Sequence, residues 1–180
     1  GDTGGGFVNA RGVMPDADMF DAKHFNIPPR EAERMDPQHR ILLEVAQTAL
    51  DNAGHDPAQF AGRIGIYAGS SQNSYLLNNL LSAPGASRSY AASYPLDDFA
   101  TLFGNDKDFI ATRIAYKLNL RGPAATVLCA CSTSLVAVAQ GCESLANGTS
   151  DMVLAGGVSV TFPSKRNYKY MPDGIDNSCK

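Results

Sequence analysis

The chain has 180 residues, of which 44% are hydrophobic, and it carries a formal net charge of -3. This length and composition fit a single globular domain, and the scattered Lys and Arg residues argue against a nucleic-acid partner. The apolar runs are far shorter than the ~20 residues that a membrane span requires. Residues 1–6 lack the features of a secretory signal, so we expect a cytoplasmic protein whose four cysteines are reduced thiols.

The first predicted elements are a helix and a strand. Asp36 is a good N-cap, Pro37 suits the first helical position, and apolar residues follow at helical spacing until Gly54. Residues 63–69 are typical of a short strand. Residues 75–100 contain Pro and Gly among Ser and Asn, which indicates loops around one short helix.

The second half of the chain predicts a βαβ unit. Residues 106–118 favour a helix, and the apolar run over residues 124–130 predicts a buried strand. A helix is expected over residues 132–146, and residues 151–155 favour another strand. The predicted apolar face of the 132–146 helix comprises Leu135, Val136, Val138, Ala139, Cys142 and Leu145. This order of elements indicates an α/β fold with a largely parallel, buried sheet.

Cys131 lies at the predicted junction of strand and helix, where a side chain projects from the carboxyl edge of a parallel sheet. The N–H groups at a helix start favour a negatively charged sulfur and stabilise an oxyanion on a thioester carbonyl. The small residues 130–134 permit the tight turn of a nucleophile elbow. A cysteine at a helix start is weak evidence by itself, because most buried cysteines are inert core residues.

The sequence around Cys131 provides a second kind of evidence. The string TVLCACSTSLVAV over residues 126–138 resembles the active-site signature of type I polyketide ketosynthases, a DTACSSSLVA-like string. The strings FDA and PREA within residues 20–32, followed by MDPQHRILLE over residues 35–44, resemble the family's FDAxFFGISPREAxxMDPQQRLLLE stretch. Segments 104–123 and 151–158 also match in order and spacing. The chain is therefore identified as a member of the β-ketoacyl synthase family.

The resemblance implies a thiolase-like fold of layered αβαβα type, of which residues 1–180 form an incomplete N-terminal half of one ketosynthase domain. It implies that Cys131 takes an acyl chain from the phosphopantetheine of an acyl carrier protein. Cys131 would then condense this chain with a malonyl-type extender by decarboxylative Claisen condensation in polyketide biosynthesis. No metal and no directly bound cofactor are expected.

The resemblance also implies partners and further site residues. The partners are the acyl carrier protein, a second copy in a homodimer paired through the strand that ends at Cys131, and the remaining C-terminal part of the domain. That absent part would carry the two catalytic histidines, so the 180-residue chain alone is not expected to condense. Thr161 and Phe162 would border the acyl pocket.

Leu128 and Cys129 depart from the family pattern, because they stand where Asp and Thr are usual. Cys129 is interpreted as a Thr-sized filler that lines the substrate pocket. A C-x-C redox or metal pair with Cys131 is the alternative, although His24, His39 and His55 have no ligand-like spacing. The departures leave two further functions open, a non-elongating domain that only holds or transfers acyl chains and an inactive scaffold piece.

Overall fold

The strands form two sheets. A computed structural model of the chain describes residues 7–8, 12–82, 84–88, 99–164 and 168–169. Strand β1 (Phe7–Val8) pairs antiparallel with β5 (Tyr168–Lys169). The central sheet is parallel, with β2 (Ile64–Ser70) between β3 (Ala124–Thr126) and β4 (Met152–Val158). The parallel α/β fold that the sequence predicts is thus present.

Helices surround the central sheet. The α-helices are α1 (Pro29–Arg34), α2 (Pro37–Asn52), α3 (Phe99–Asn105), α4 (Ile110–Lys117) and α5 (Thr133–Ala146). Shorter turns of 3₁₀-helix span Lys107–Phe109 and Ala130–Ser132, and a π-helical turn spans Leu76–Leu80. No helix within the described residues combines the length and the apolar character needed to cross a membrane.

Helix α2 begins and ends where the sequence predicts. The Asp36 carboxylate accepts the Gln38 N–H at 3.0 Å, and Pro37 occupies the first turn, which needs no N–H donor. Gly54 follows the helix with a φ of +73°, a left-handed conformation that glycine adopts without strain. These local signals are confirmed, and each depends only on residues next to one another in the sequence.

The main hydrophobic core lies on the face of the sheet that α2 and α4 cover. Leu43 and Leu50 of α2 and Ile114 of α4 are almost fully buried against Ile64 and Ile66 of β2. Burial of each such side chain stabilises the fold by roughly 1.5–3 kcal/mol. This core holds β2 in place and therefore fixes the position of its carboxyl end.

Helix α5 covers the opposite face of the sheet, and it does so with small residues. Its buried positions are Ala137, Gly141 and Ser144, spaced as one helical face. A Cβ on Gly141 would lie 2.9 Å from Cγ1 of Val153, so the helix backbone lies very close to β4.

The predicted buried face of α5 is wrong for this chain. The large apolar residues of the predicted face point away from the sheet, with Leu135 72%, Val138 46% and Leu145 44% exposed. Ala139 and Cys142 are also exposed, and only Val136 is half-buried. The reason is steric, because the close approach to β4 admits only small side chains on the sheet side of the helix.

Two other predicted boundaries need correction. The strand predicted over residues 124–130 pairs with β2 only as far as Thr126, and Leu128 is already 53% exposed. The helix predicted over residues 106–118 begins with a 3₁₀ turn before α4. The predicted loops and short helix over residues 75–100 lie partly outside the described residues, and the described part includes the π-helical turn.

Candidate active site

Cys131 lies in a tight turn between β3 and α5. Ala130, directly before it, has a φ of +50°, a left-handed conformation that costs an L-residue roughly 1–2 kcal/mol. The turn is closed by hydrogen bonds to two carbonyls: the Ser132 hydroxyl donates to the Cys129 oxygen at 2.8 Å, and the Thr133 hydroxyl donates to the Ala130 oxygen at 2.8 Å. The strained residue and its local bonds fit the elbow that the sequence predicts for a nucleophile.

The turn packs against the carboxyl end of β2 at Gly69. A Cβ on Gly69 would lie 2.0 Å from the Val127 carbonyl oxygen and 2.6 Å from Cγ2 of Thr133. Only a glycine leaves room for this contact, since the two backbones approach too closely for a Cβ to fit between them. Gly69 therefore sets the path of the chain from β3 into the turn.

Cys131 is exposed and lines a cavity of about 620 Å³. The cavity is formed by the carboxyl ends of β2 and β4, the turn before α5 and the start of that helix. Its lining residues are Gly69, Ser70, Ser71, Gln72, Lys107, Leu128, Ala130, Cys131, Thr133, Ser134, Gly157, Val158 and Ser159. The volume is within the range of small-molecule sites, and Lys107 contributes a positive charge to the lining.

The first turn of α5 faces this cavity at Thr133 and Ser134. Within the described residues no side chain caps the helix, although the Thr133 N–H donates to the Ala130 carbonyl of the preceding 3₁₀ turn. N–H groups at an uncapped helix start attract anionic oxygen. The cavity thus combines a thiol with oriented hydrogen-bond donors, which is the equipment for attack on a thioester carbonyl.

The other three predicted site residues are not among those that line this cavity. Cys129 is an exposed free cysteine whose N–H donates to the Thr133 hydroxyl at 3.0 Å. Thr161 borders a separate cavity of about 120 Å³. The Phe162 ring packs edge-on against Tyr75, with ring centroids 5.3 Å apart. Their role in substrate binding stays a prediction.

The three histidines lie away from the cavity. His24 and His55 make edge-on contacts with the rings of Phe25 and Phe60. His39 is buried and, among the described residues, neither of its ring nitrogens has a hydrogen-bond partner, so desolvation lowers its pKa to about 3, with a further contribution from Arg113. In the described part of the chain, no three His, Cys, Asp or Glu side chains come together as a metal site would require.

Sequence reasoning missed the residues that the loops after β2 and β4 bring to the cavity. Ser71 and Gln72 follow β2, and Ser159 follows β4. Ser and Gln in a loop carry no chemical signature by themselves. The signal that was available is topological, because the carboxyl ends of adjacent parallel strands meet at one sheet edge.

Comparison with known proteins identifies relatives over most of the chain. The family described as "Beta-ketoacyl synthase, N-terminal domain" matches residues 3–170. A phenolphthiocerol/phthiocerol polyketide synthase polypeptide of Mycobacterium tuberculosis is 46% identical over 169 residues, which cover 94% of this chain and 11% of that protein. Polyketide synthase GfsA of Streptomyces halstedii is 42% identical over 85% of this chain and 2% of its own length. The chain thus spans about a tenth or less of these relatives.

Solved structures show the same fold. Ketosynthase twelve of the bacillaene polyketide synthase of Bacillus amyloliquefaciens superposes with a TM-score of 0.75 at 27% identity, covering 93% of this chain and 28% of that one. The ketosynthase from module 6 of the bacillaene synthase of Bacillus subtilis 168 gives a TM-score of 0.66 at 37% identity, covering 83% and 23%. The predicted thiolase-like α/β fold is confirmed by these neighbours, of which this chain spans about a quarter.

Proposed function

Because this chain belongs to the β-ketoacyl synthase family, whose N-terminal domain it matches, we propose that Cys131 receives the acyl chain in a condensation of polyketide biosynthesis. The observation that carries the proposal is the place of Cys131. Its thiol is exposed in a strained turn, lines a cavity of about 620 Å³, and lies two residues before the start of a 14-residue helix.

In the first proposed step, the Cys131 Sγ attacks as a thiolate the carbonyl carbon of an acyl thioester on the phosphopantetheine of an acyl carrier protein. A new C–S bond forms and the bond to the phosphopantetheine sulfur breaks, so that this sulfur leaves and takes up a proton. The N–H groups at the start of α5 stabilise the oxyanion between these events. The acyl chain then remains on Cys131.

In the second proposed step, a malonyl-type extender loses CO₂ and becomes an enolate. The enolate carbon attacks the Cys131 thioester, a C–C bond forms, and the C–Sγ bond breaks to regenerate the thiolate. Lys107 in the cavity lining attracts the anionic groups of the incoming thioester. His24, His39 and His55 do not line the cavity, so the histidines that assist this step would come from the C-terminal part of the domain.

The outward face of α5, defined by Leu135, Val138 and Leu145, supports a contact with another part of the same protein. An apolar face of this kind is expected to be covered, and the solved relatives are more than three times as long as this chain. We assign the remaining C-terminal part of the ketosynthase as its cover. The L135D variant of the full-length protein should therefore unfold at a lower temperature than the wild type.

The predicted homodimer is supported by the place of β3. Within the part of the chain that the structure describes, β3 is an edge strand of the central sheet, so its outer side is open to a second copy. Sedimentation of the full-length protein measures this directly. A protein that sediments as a monomer at micromolar concentration would contradict the dimer.

The proposed function is tested with the full-length protein that carries this chain. The protein is first charged with an acyl thioester and then given a malonyl carrier protein, and the carrier is analysed by mass spectrometry. We expect a carrier-bound β-ketoacyl product from the wild type and from C142A, which replaces another exposed cysteine, but none from C131A. An acyl group that stays on Cys131 without product would instead favour a domain that only holds acyl chains.

A further inference from the structure

Gln38 connects two loops of the candidate site from a fully buried position. It is the second residue of α2 and is 0% exposed. Its side-chain nitrogen Nε2 donates to Oδ2 of Asp36 at 3.0 Å. Because the Asp36 carboxylate accepts and Gln38 donates, this bond fixes which end of the amide faces the sheet edge. The oxygen Oε1 of Gln38 therefore faces the sheet edge, where it can accept hydrogen bonds.

The Gln38 Oε1 accepts hydrogen bonds from the two loops that follow the neighbouring strands β2 and β4. It accepts the Ser71 N–H at 3.2 Å and the Ser71 hydroxyl at 2.6 Å, directly after β2. It also accepts the Val160 N–H at 3.3 Å, two residues after β4. Ser71 also donates its N–H to the Val158 carbonyl at 3.0 Å. One buried amide therefore locks the two loops to each other and to α2.

These loops are part of the cavity that Cys131 lines. Ser71 and Gln72 from the first loop and Ser159 from the second belong to its lining. Loss of the Gln38 oxygen would remove the acceptor that the Val160 N–H and the Ser71 hydroxyl use. Ser71 and Val160 are half-buried, and a donor that loses its acceptor there destabilises the loops, which would move to recover a partner.

We infer that Gln38 is a positioning residue for acyl transfer, which fixes the cavity wall that a thioester contacts as it approaches Cys131. It does not touch the substrate. The inference rests on the proposed function, and it adds a residue on α2 to a site that is otherwise built from the sheet edge and α5. A misplacement of about 1 Å in such a wall can lower a rate about a hundredfold.

The test uses the full-length protein and measures two rates at Cys131. The first is acyl transfer from an acyl thioester, with kcat and KM determined separately. The second is alkylation by iodoacetamide, a small reagent that needs no cavity wall, with the adduct located by peptide mapping. We expect Q38M to lower acyl transfer about ten- to a hundredfold while alkylation stays close to the wild-type rate.

A matched control and a rescue complete the design. Gln59 makes the same kind of bond, Nε2 to Oδ2 of Asp56 at 2.9 Å, but at an exposed site, so Q59M should transfer acyl groups like the wild type. The Q38E variant places a second carboxylate next to that of Asp36, so the two repel each other, and acyl transfer should be slow. The double variant D36N/Q38E reverses donor and acceptor in this pair and keeps a good N-cap, but it loses the bond that the Gln38 Nε2 donates to the Gln72 carbonyl at 3.4 Å. It should therefore restore acyl transfer in part.

The outcomes separate the inference from the function on which it rests. A folded Q38M that transfers acyl groups at the wild-type rate overturns the inference alone. If Q38M does not fold, the comparison of Q38E with D36N/Q38E tests the inference instead. A folded D36N/Q38E that transfers acyl groups as slowly as Q38E overturns the inference. A wild-type protein that takes no acyl group overturns the proposed function and the inference with it.

Discussion

Replacing Gly69 with alanine should damage the fold and the Cys131 turn together. The new Cβ would lie 2.0 Å from the Val127 carbonyl oxygen, which belongs to the backbone and cannot rotate away. It would also lie 2.6 Å from Cγ2 of Thr133, the first residue of α5. Overpacking a core forces side chains and backbone to shift, which typically costs about 1–3 kcal/mol and occasionally more. We therefore expect G69A to lower the free energy of unfolding by more than about 3 kcal/mol.

The assay is urea unfolding of wild type, G69A and G156A, followed by circular dichroism. Gly156 is the matched control, because it lies in β4 and a Cβ there would meet no atom of the described residues within 4 Å. G156A should change the free energy of unfolding by less than about 1 kcal/mol. The steric reasoning would be refuted if G69A were as stable as G156A.

Two further predictions concern buried residues of α2 and α5. Because burial lowers the pKa of His39 from 6.5 to about 3, the unfolded chain binds a proton between these values that the folded chain does not, and stability falls as the pH drops below about 6.5. Between pH 6.5 and pH 5 this loss is about 2 kcal/mol, so H39Q should lose less stability than wild type over that range in urea unfolding. Asp36 is present in both proteins, so it does not affect the comparison between them. Desolvation by burial raises the pKa of its carboxyl, which makes the folded state more stable as the pH falls, the opposite of the effect of His39. On α5, A137L should cost about 1–3 kcal/mol in the same assay, because Ala137 is 0% exposed against the sheet, while A49L on an exposed side of α2 should cost almost nothing. Equal pH profiles for H39Q and wild type, or equal stabilities for A137L and A49L, would show that these packing assignments are wrong.

Local signals explain why parts of this fold could be predicted. The start of α2 follows from Asp36 and Pro37, whose preferences depend on a few neighbouring atoms. The place of Cys131 follows from a strand and a helix separated by small residues, and the strained φ of Ala130 agrees with the predicted turn. The resemblance of the residues around Cys131 to the ketosynthase signature then predicted a nucleophile there, which the geometry of the turn alone did not.

Contacts between distant residues explain what could not be predicted. The strand after residue 124 ends at Thr126 and not at Ala130. The Val127 N–H still donates to the Ala68 carbonyl at 3.0 Å, and the chain then leaves β2 for the turn that packs on Gly69. The orientation of α5 depends on how near its backbone comes to β4, which an apolar pattern does not record. The role of Gln38 depends on Ser71 and Val160, which are far from it in sequence and unremarkable in composition.

The most direct test of the account is to locate the acyl group after a single acylation. The full-length protein is incubated with an acyl thioester, digested, and analysed by mass spectrometry for adducts on the peptides that contain Cys129, Cys131 and Cys142, three cysteines that are all exposed. The account predicts one acyl group, on Cys131, which is absent in C131A and present in C142A. An adduct that is unchanged in C131A, or that is found on another cysteine, would contradict it.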